Sequence, residues 1–241
     1  MPIDAARIPA GKRLYAVGDI HGRIDLLTEI EQMIAADATT AADAELTVVY
    51  LGDYVDRGSN SFAVVDRLVH APLPGFTAVH LRGNHEEMMH SFLDGEPEPL
   101  WLMNGGIATL ESYGVAFDWG DLDRPMLQSL QQRLNAAMPD SHRQFLDRLE
   151  LTFSCGDYAF VHAGVRPGLP LDMQLPRDLL WIRAPFLRSE EDFGKRVVHG
   201  HTIVRRPEVK ANRIGIDTGA FHSGHLTCLV LEAETIRFLR T

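Results

Sequence analysis

Gly52–Gly58 reads GDYVDRG, and it follows Leu46–Leu51, LTVVYL, a run of β-branched and aliphatic residues with the character of a buried strand. The glycine ends that strand and lets the chain turn. Two carboxylates, Asp53 and Asp56, and the guanidinium of Arg57 then fall within five residues at a strand end, where α/β sheets place their ligands. A multivalent cation would offset repulsion between the acids, and an anion would engage the arginine. Taken alone, the heptad also fits a solvated acidic turn.

Working outward, the same pattern recurs on both sides. Leu14–Val17 is an apolar run ending in GDIHG, followed by helical periodicity from Ile24 to about Ala38 in Leu26, Leu27, Ile30 and Ile34. After GDYVDRG a Ser/Asn cluster can cap a helix carrying Phe62, Val65, Leu68 and Val69. A third unit has a strand over Phe76–Leu81, the loop RGNHEE and a helix from about Glu86 to Leu93. Three strand-loop-helix units in succession predict right-handed crossovers and parallel pairing, with their polar loops on one sheet edge.

From residue 95 to about 150 the pattern is helical, over Leu100–Tyr113, Asp121–Ala137 and about His142–Leu149. It reads as an insertion within one domain spanning 1–241, since GEPEP and PDSH lack the length of flexible tethers. Short apolar runs follow. Leu151–Cys155 and Tyr158–His162, joined at Gly156 and Asp157, suggest a hairpin; Leu179–Ile182, Val197–His199, Ile214–Ile216, Leu226–Leu231 and Ile236–Leu239 suggest further strands. The expected fold is α/β: two packed mixed β-sheets flanked by helices, with the helical insertion.

The 241 residues are 45% hydrophobic and 23% charged, ordinary for a globular chain. A formal charge of −10 argues against nucleic acid or an anionic membrane as partner, since both attract clustered Lys and Arg. No stretch approaches the roughly 18 apolar residues of a membrane span, and the polar N-terminus lacks an apolar signal core, so a cytoplasmic protein is expected. Cys155 and Cys228 stand singly in strand-like runs and read as buried free thiols. Oligomeric state leaves no trace in the sequence.

Side by side, the loops GDIHG, GDYVDRG, GNHE, HAG and HGHT supply Asp19, His21, Asp53, Asn84, His162 and His201. Carboxylate, carboxamide and imidazole without thiolate form a ligand set for two divalent metal ions, with manganese expected and iron or zinc also fitting. These motifs resemble the metal-dependent phosphoprotein phosphatases within the calcineurin-like metallophosphoesterases, and are most similar to the lambda-phage-type and bacterial Ser/Thr phosphatases. The resemblance runs from Gly18 to Gly219. It implies that Asp19 and His21 hold one metal, that Asn84, His162 and His201 hold the other, and that Asp53 bridges them. It further implies attack by metal-activated water on a phosphomonoester of a phosphoserine or phosphothreonine protein, and phosphotyrosine is a further candidate. Arg57 and Arg183, in LWIR, would clamp the phosphate with Asn84 beside them; His85 would protonate the leaving oxygen and Asp56 would orient it.

MNGG and DTGA also match the resemblance but receive no chemical role. His199 reads as structural, His222 and His225 as exposed turn residues, and His70, His80, His90 and His142 as surface or core filler. Glu86 and Glu87 suit a helix start, Asp217 a turn, and Trp101, Met103, Tyr113 and Phe117 the packing of the insertion. A dinucleoside polyphosphate hydrolase, such as one cleaving diadenosine tetraphosphate, shares most of these motifs. In that family the counterpart of Asp56 is typically absent and GNH is followed by Asp, so Asp56 and Glu86 favour the phosphatase. A catalytically silent phosphoprotein-binding module would lack a ligand, acid or clamp, and none is missing.

Overall fold

A computed structural model describes residues 6–41, 43–117 and 120–241; the first five residues of the polar leader lie outside the described residues. Three strand-helix units come first: β1 (Lys12–Val17) and α1 (Ile24–Ala38), β2 (Glu45–Tyr50) and α2 (Ser61–His70), then β3 (Phe76–His80) and α3 (Asn84–Asp94). As the succession of strand and helix predicts, β1, β2 and β3 pair in parallel, with Tyr15 opposite Val48 and Val49 opposite Val79. The helices α4 (Ile107–Ser112), α5 (Arg124–Ala137) and α6 (Asp140–Asp147) follow.

The strand-rich half holds β4 (Thr152–Cys155), β5 (Tyr158–Val161), α7 (Pro176–Trp181), α8 (Ala184–Leu187), β6 (Arg196–His199), β7 (Glu208–Val209) and β8 (Arg213–Gly215). It closes with α9 (Ala220–Ser223), β9 (Thr227–Glu232) and β10 (Thr235–Arg240). Two five-stranded mixed sheets result, ordered β10-β9-β1-β2-β3 and β4-β5-β6-β8-β7.

Strand alternation decides which side chains fill each layer. In β1, Leu14 and Ala16 point between the sheets, joining Val49, Phe160, Val198 and Ile214, while Tyr15 and Val17 join the helical side with Ile30, Val65 and Phe92. Both faces of the first sheet are therefore buried, which accounts for the near-continuous apolar runs of its strands. The outer face of the second sheet is covered by a smaller cluster in which Val161 and Val197 meet Leu179 and Phe186.

Several local readings change. Leu179 and Leu180 belong to helix α7, not a strand: Pro176 occupies its first turn, and a four-residue apolar run cannot separate the two states by periodicity. Asn60 makes no side-chain cap to α2 and bonds Ser59 instead. The segment read as one helix over Leu100–Tyr113 is broken at Gly105, whose φ of 111° no other residue adopts readily. The third helix begins at Asn84 rather than near Glu86, so two expected site residues sit in its first turn. Of the two thiols, Cys228 is buried but Cys155 is only partly so.

Candidate metal centre

The chain carries each expected site residue to the same edge of the two sheets. Asp19 and His21 follow β1, Asp53, Asp56 and Arg57 follow β2, Asn84 and His85 open α3, His162 follows β5 and His201 follows β6. Asp53 is shared by two buried groups, His21–Asp53–His85 and Asp53–His162–His201, in each of which one ligand atom per residue lies within 4.8 Å of the others. Asn84 Oδ1 sits 2.8 Å from His201 Nδ1 and 3.0 Å from His162 Nε2. Asp19 lies beside these groups and not within either; its carboxylate accepts the backbone N–H of His201 at 3.0 Å.

Turning so many polar groups inward costs backbone strain. Among the described residues six non-glycine residues have positive φ, and five of them are His21, Asp53, Asp56, Arg57 and His201. Such conformations cost on the order of 1–3 kcal/mol each and persist only where the surroundings enforce them. Glu86 supplies much of that enforcement for the β2 loop: its buried carboxylate accepts N–H bonds from Asp53 (2.8 Å), Tyr54 (2.7 Å), Val55 (3.2 Å) and Gly83 (2.9 Å). Gly83 must be glycine for contact reasons, because a Cβ there would stand 2.1 Å from Asp53 Oδ1.

The ring nitrogens show that these residues fit a cation. His21 Nδ1 faces Val55 O at 2.8 Å and His162 Nδ1 faces Leu51 O at 2.9 Å. A carbonyl only accepts, so each Nδ1 carries the proton and each Nε2 presents a lone pair. His162 Nε2 then looks at two further acceptors, Asn84 Oδ1 and, at 3.5 Å, Asp53 Oδ1, and His201 turns its Nδ1, not its unpartnered Nε2, to the same Asn84 oxygen at 2.8 Å. Protonation would relieve this at a high cost: burial lowers His162 and pushes His21 down to about 3 and His201 to about 2. Convergent lone pairs of this kind are what divalent ions satisfy.

The carboxylates agree. Burial would raise Asp53, yet the surrounding histidines, His162 foremost, outweigh it and hold it below the carboxylate range. Asp19 is raised well above that range by burial, then by Asp217 and Asp53, a repulsion that a cation between them would remove.

His85 stands apart from the lone-pair cluster because its Nδ1 meets Asp56 Oδ2 at 2.7 Å, and its Nε2 faces the centre 4.0 Å from Asp53 Oδ2. Burial opposes charge on His85, but Asp53 and Asp56 outweigh it and raise the ring above its ordinary value. Asp56 is fully buried and also accepts Trp101 Nε1–H at 2.9 Å and Thr109 Oγ1–H at 2.7 Å. Burial raises its carboxyl against these donors.

Arg57 and Arg183 are exposed at this edge. Arg57 Nη1 donates to His21 Nε2 at 2.8 Å with its guanidinium 4.9 Å from the Phe221 ring centre, and Arg183 Nη1 donates to Thr202 Oγ1 at 3.2 Å. MNGG acquires a physical role here: Gly105 O accepts Arg57 N–H at 3.2 Å, and a Cβ on Gly105 would stand 2.9 Å from Arg57 Cγ.

Four residues beyond the expected set therefore belong to this region. Glu86 is a scaffold for the β2 loop, not just a helix-start charge, and its spacing three residues after Gly83 is the one local signal that could have shown it. Asp217, read as a turn former, does bond Gly219 N–H at 2.8 Å, but it is 3% exposed and burial, with Asp53, pushes it up to about 6. Trp101 packs on Phe92 as expected of the insertion, yet its N–H is committed to Asp56. Phe221 left no signal. His199 is buried against Phe186 and outside both groups, while His222 and His225 are exposed.

The sequence profile described as calcineurin-like phosphoesterase matches residues 12–225. Serine/threonine-protein phosphatase 2 of Salmonella typhimurium is 27% identical over 226 residues, covering 90% of this chain and 91% of that protein. The bis(5'-nucleosyl)-tetraphosphatase PrpE of Bacillus velezensis is 26% identical over 235 residues, covering 88% and 86%. In structure, a putative diadenosine tetraphosphatase superposes with a TM-score of 0.62 at 21% identity, covering 98% of each chain. With a profile match over nearly its whole length and a buried His/Asp cluster consistent with a dinuclear site, this chain belongs to the calcineurin-like phosphoesterases, metal-dependent enzymes that hydrolyse phosphoesters.

Proposed function

We propose that the protein is a phosphomonoesterase acting on phosphoserine and phosphothreonine proteins, with phosphotyrosine within reach, through a site built by one domain spanning 1–241. The observation that carries this reading is the buried His85–Asp56 pair. An alkoxide leaving from serine or threonine is strongly basic and needs a proton as it departs, whereas a nucleotide leaving through a phosphate oxygen is far less basic. A histidine buried but raised in basicity by two carboxylates, one of them fixed by Trp101 and Thr109, suits the first demand.

In this reading Asp19 and His21 hold one divalent ion, Asn84, His162 and His201 the other, and Asp53 serves both. When bound, such a pair lowers the pKa of water and neutralises charge developing on phosphoryl oxygens, with manganese the ion to try first. Arg57 and Arg183 engage the phosphate oxygens, guanidinium geometry suiting two-point contact, and Phe221 limits where the Arg57 head can swing. Asn84, beside His162 and His201, is the third group given to the phosphate. His85 Nε2 gives its proton to the leaving oxygen while Asp56 keeps the ring oriented and its charge offset.

Hydrolysis of dinucleoside polyphosphates is the second reading, favoured by the naming of PrpE and of the structural neighbour. Steady-state hydrolysis of a phosphoserine peptide and of diadenosine tetraphosphate by the manganese-loaded protein separates the two. A preference for the peptide in kcat/KM supports the first; a large preference for the dinucleotide overturns it.

A further inference from the structure

Outside the catalytic centre, α2 and α6 bring together a second group of metal-ligating atoms: Asp66, His70 and His142, with one donor atom from each within 4.8 Å of the others. Asp66 and His70 are four residues apart on α2 and so share a face. His142, in the first half of α6, is fully buried, and its Nε2 reaches that face 3.4 Å from Asp66 Oδ1. His70 Nε2 lies 3.9 Å from the same oxygen.

Two observations separate this trio from an ordinary surface ion pair. First, the separations are longer than strong hydrogen bonds: His142 Nε2 and Asp66 Oδ1 make a long one at 3.4 Å, and His70 makes none to Asp66. At 3.4 and 3.9 Å the imidazoles are too far from Asp66 for strong bonds, but donors about 2.0–2.1 Å from a tetrahedral zinc ion are held a little over 3 Å apart. Second, the buried ring has its outer partner in place. A metal on His142 Nε2 requires the proton on Nδ1, and Tyr113 Oη, 2.9 Å from Nδ1, can accept it there; without the ion Nε2–H faces Asp66 and the Tyr113 O–H donates to Nδ1 instead. Phe62 and Tyr113 pack on the His142 ring and fix its plane. Asp66 and His70 are about half exposed, which leaves the fourth position to water, with Ser141 Oγ 3.4 Å from His70 Nε2.

From this geometry we propose that Asp66, His70 and His142 form a peripheral site for one zinc-like divalent ion, separate from the two of the catalytic centre. The ion clasps α6 onto α2. Because Ser61, in the first turn of α2, accepts the Asp56 N–H at 3.0 Å, that clasp steadies the helix from which the Asp56 loop is held. Imidazole and carboxylate without thiolate favour zinc, cobalt or nickel over calcium and magnesium.

The test uses the full-length protein, stripped with chelator, equilibrated with micromolar zinc chloride and freed of unbound metal by gel filtration. Wild type is expected to retain one zinc ion more per chain than His70→Ala or Asp66→Asn, both changes at exposed positions. Zinc is expected to raise the wild-type melting temperature by more than it raises either variant's. In an Asp53→Asn background, which disables the catalytic centre, the His70-dependent ion is expected to persist, so failure at one site is read separately from failure at the other. Equal zinc content and equal thermal shifts in wild type and both variants overturn the proposal, as does a His70-dependent ion that appears only at millimolar zinc.

Discussion

Trp101→Phe isolates a single bond. The indole N–H reaches Asp56 Oδ2 at 2.9 Å and Oδ1 at 3.1 Å, and the carboxylate is otherwise held by Thr109 and His85. Phenylalanine keeps an aromatic face toward Phe92 but removes one of three donors from a fully buried charge. A hydrogen bond to a charged group contributes about 1.5–3 kcal/mol, and the smaller ring adds a gap, so unfolding of the metal-loaded protein in urea should show a loss of about 2–4 kcal/mol. General acid catalysis is worth about 10²–10⁴ in rate, and loosening one of the restraints on the acid's partner should lower kcat on a phosphoserine peptide by about tenfold. The informative assay is a double-mutant cycle with His85→Asn. If Trp101 acts through Asp56 on His85, its removal costs stability in both backgrounds but lowers kcat only where His85 is present. Equal kcat losses in both backgrounds would refute the coupling, and an unchanged urea midpoint would refute the energetic value given to the bond.

Other expectations test neighbouring parts. Glu86→Gln leaves the four loop N–H groups facing a neutral amide, and should lower stability by about 2–3 kcal/mol and reduce metal retained after dialysis. Gly105→Ala places a methyl group against Arg57 at a φ of 111°, so KM for phosphopeptide should rise several-fold; unchanged kinetics would show that Arg57 can give way. His80, stacked on Tyr50, is pushed by burial down to about 4. A histidine lowered in the folded state binds its proton first in the unfolded chain, so its contribution to stability is present above about pH 6.5 and is lost as pH falls toward 4. His80→Phe should flatten that limb of the stability profile of the metal-free protein.

Much of the cluster could be read from the chain because its parts are local: Asp19, His21, Asp53 and His201 follow an apolar run and a glycine, and His162 ends an apolar run two residues before one. What escaped is what closes at a distance. Trp101 lies 45 positions from Asp56, and Phe221 comes from the far end of the chain to lie under Arg57. Only the packing of the insertion and the α9 turn against the first sheet brings them there. The strand assigned to Leu179–Ile182 failed for the opposite reason, since its local pattern is too short to carry a period. Charge was also silent on the site: the net −10 does not tell buried acids from exposed ones, and the edge that buries Asp19, Asp53, Asp56, Glu86 and Asp217 exposes Arg57 and Arg183.

In the proposed reaction the buried pair of His85 and Asp56 protonates a basic leaving group beside a dinuclear centre. That step is tested most directly by the kcat of His85→Asn relative to wild type on a phosphoserine peptide and on p-nitrophenyl phosphate, both with manganese. A loss on the peptide many times the loss on the aryl ester is expected, because nitrophenolate needs little protonation; equal losses on the two substrates would contradict the assignment.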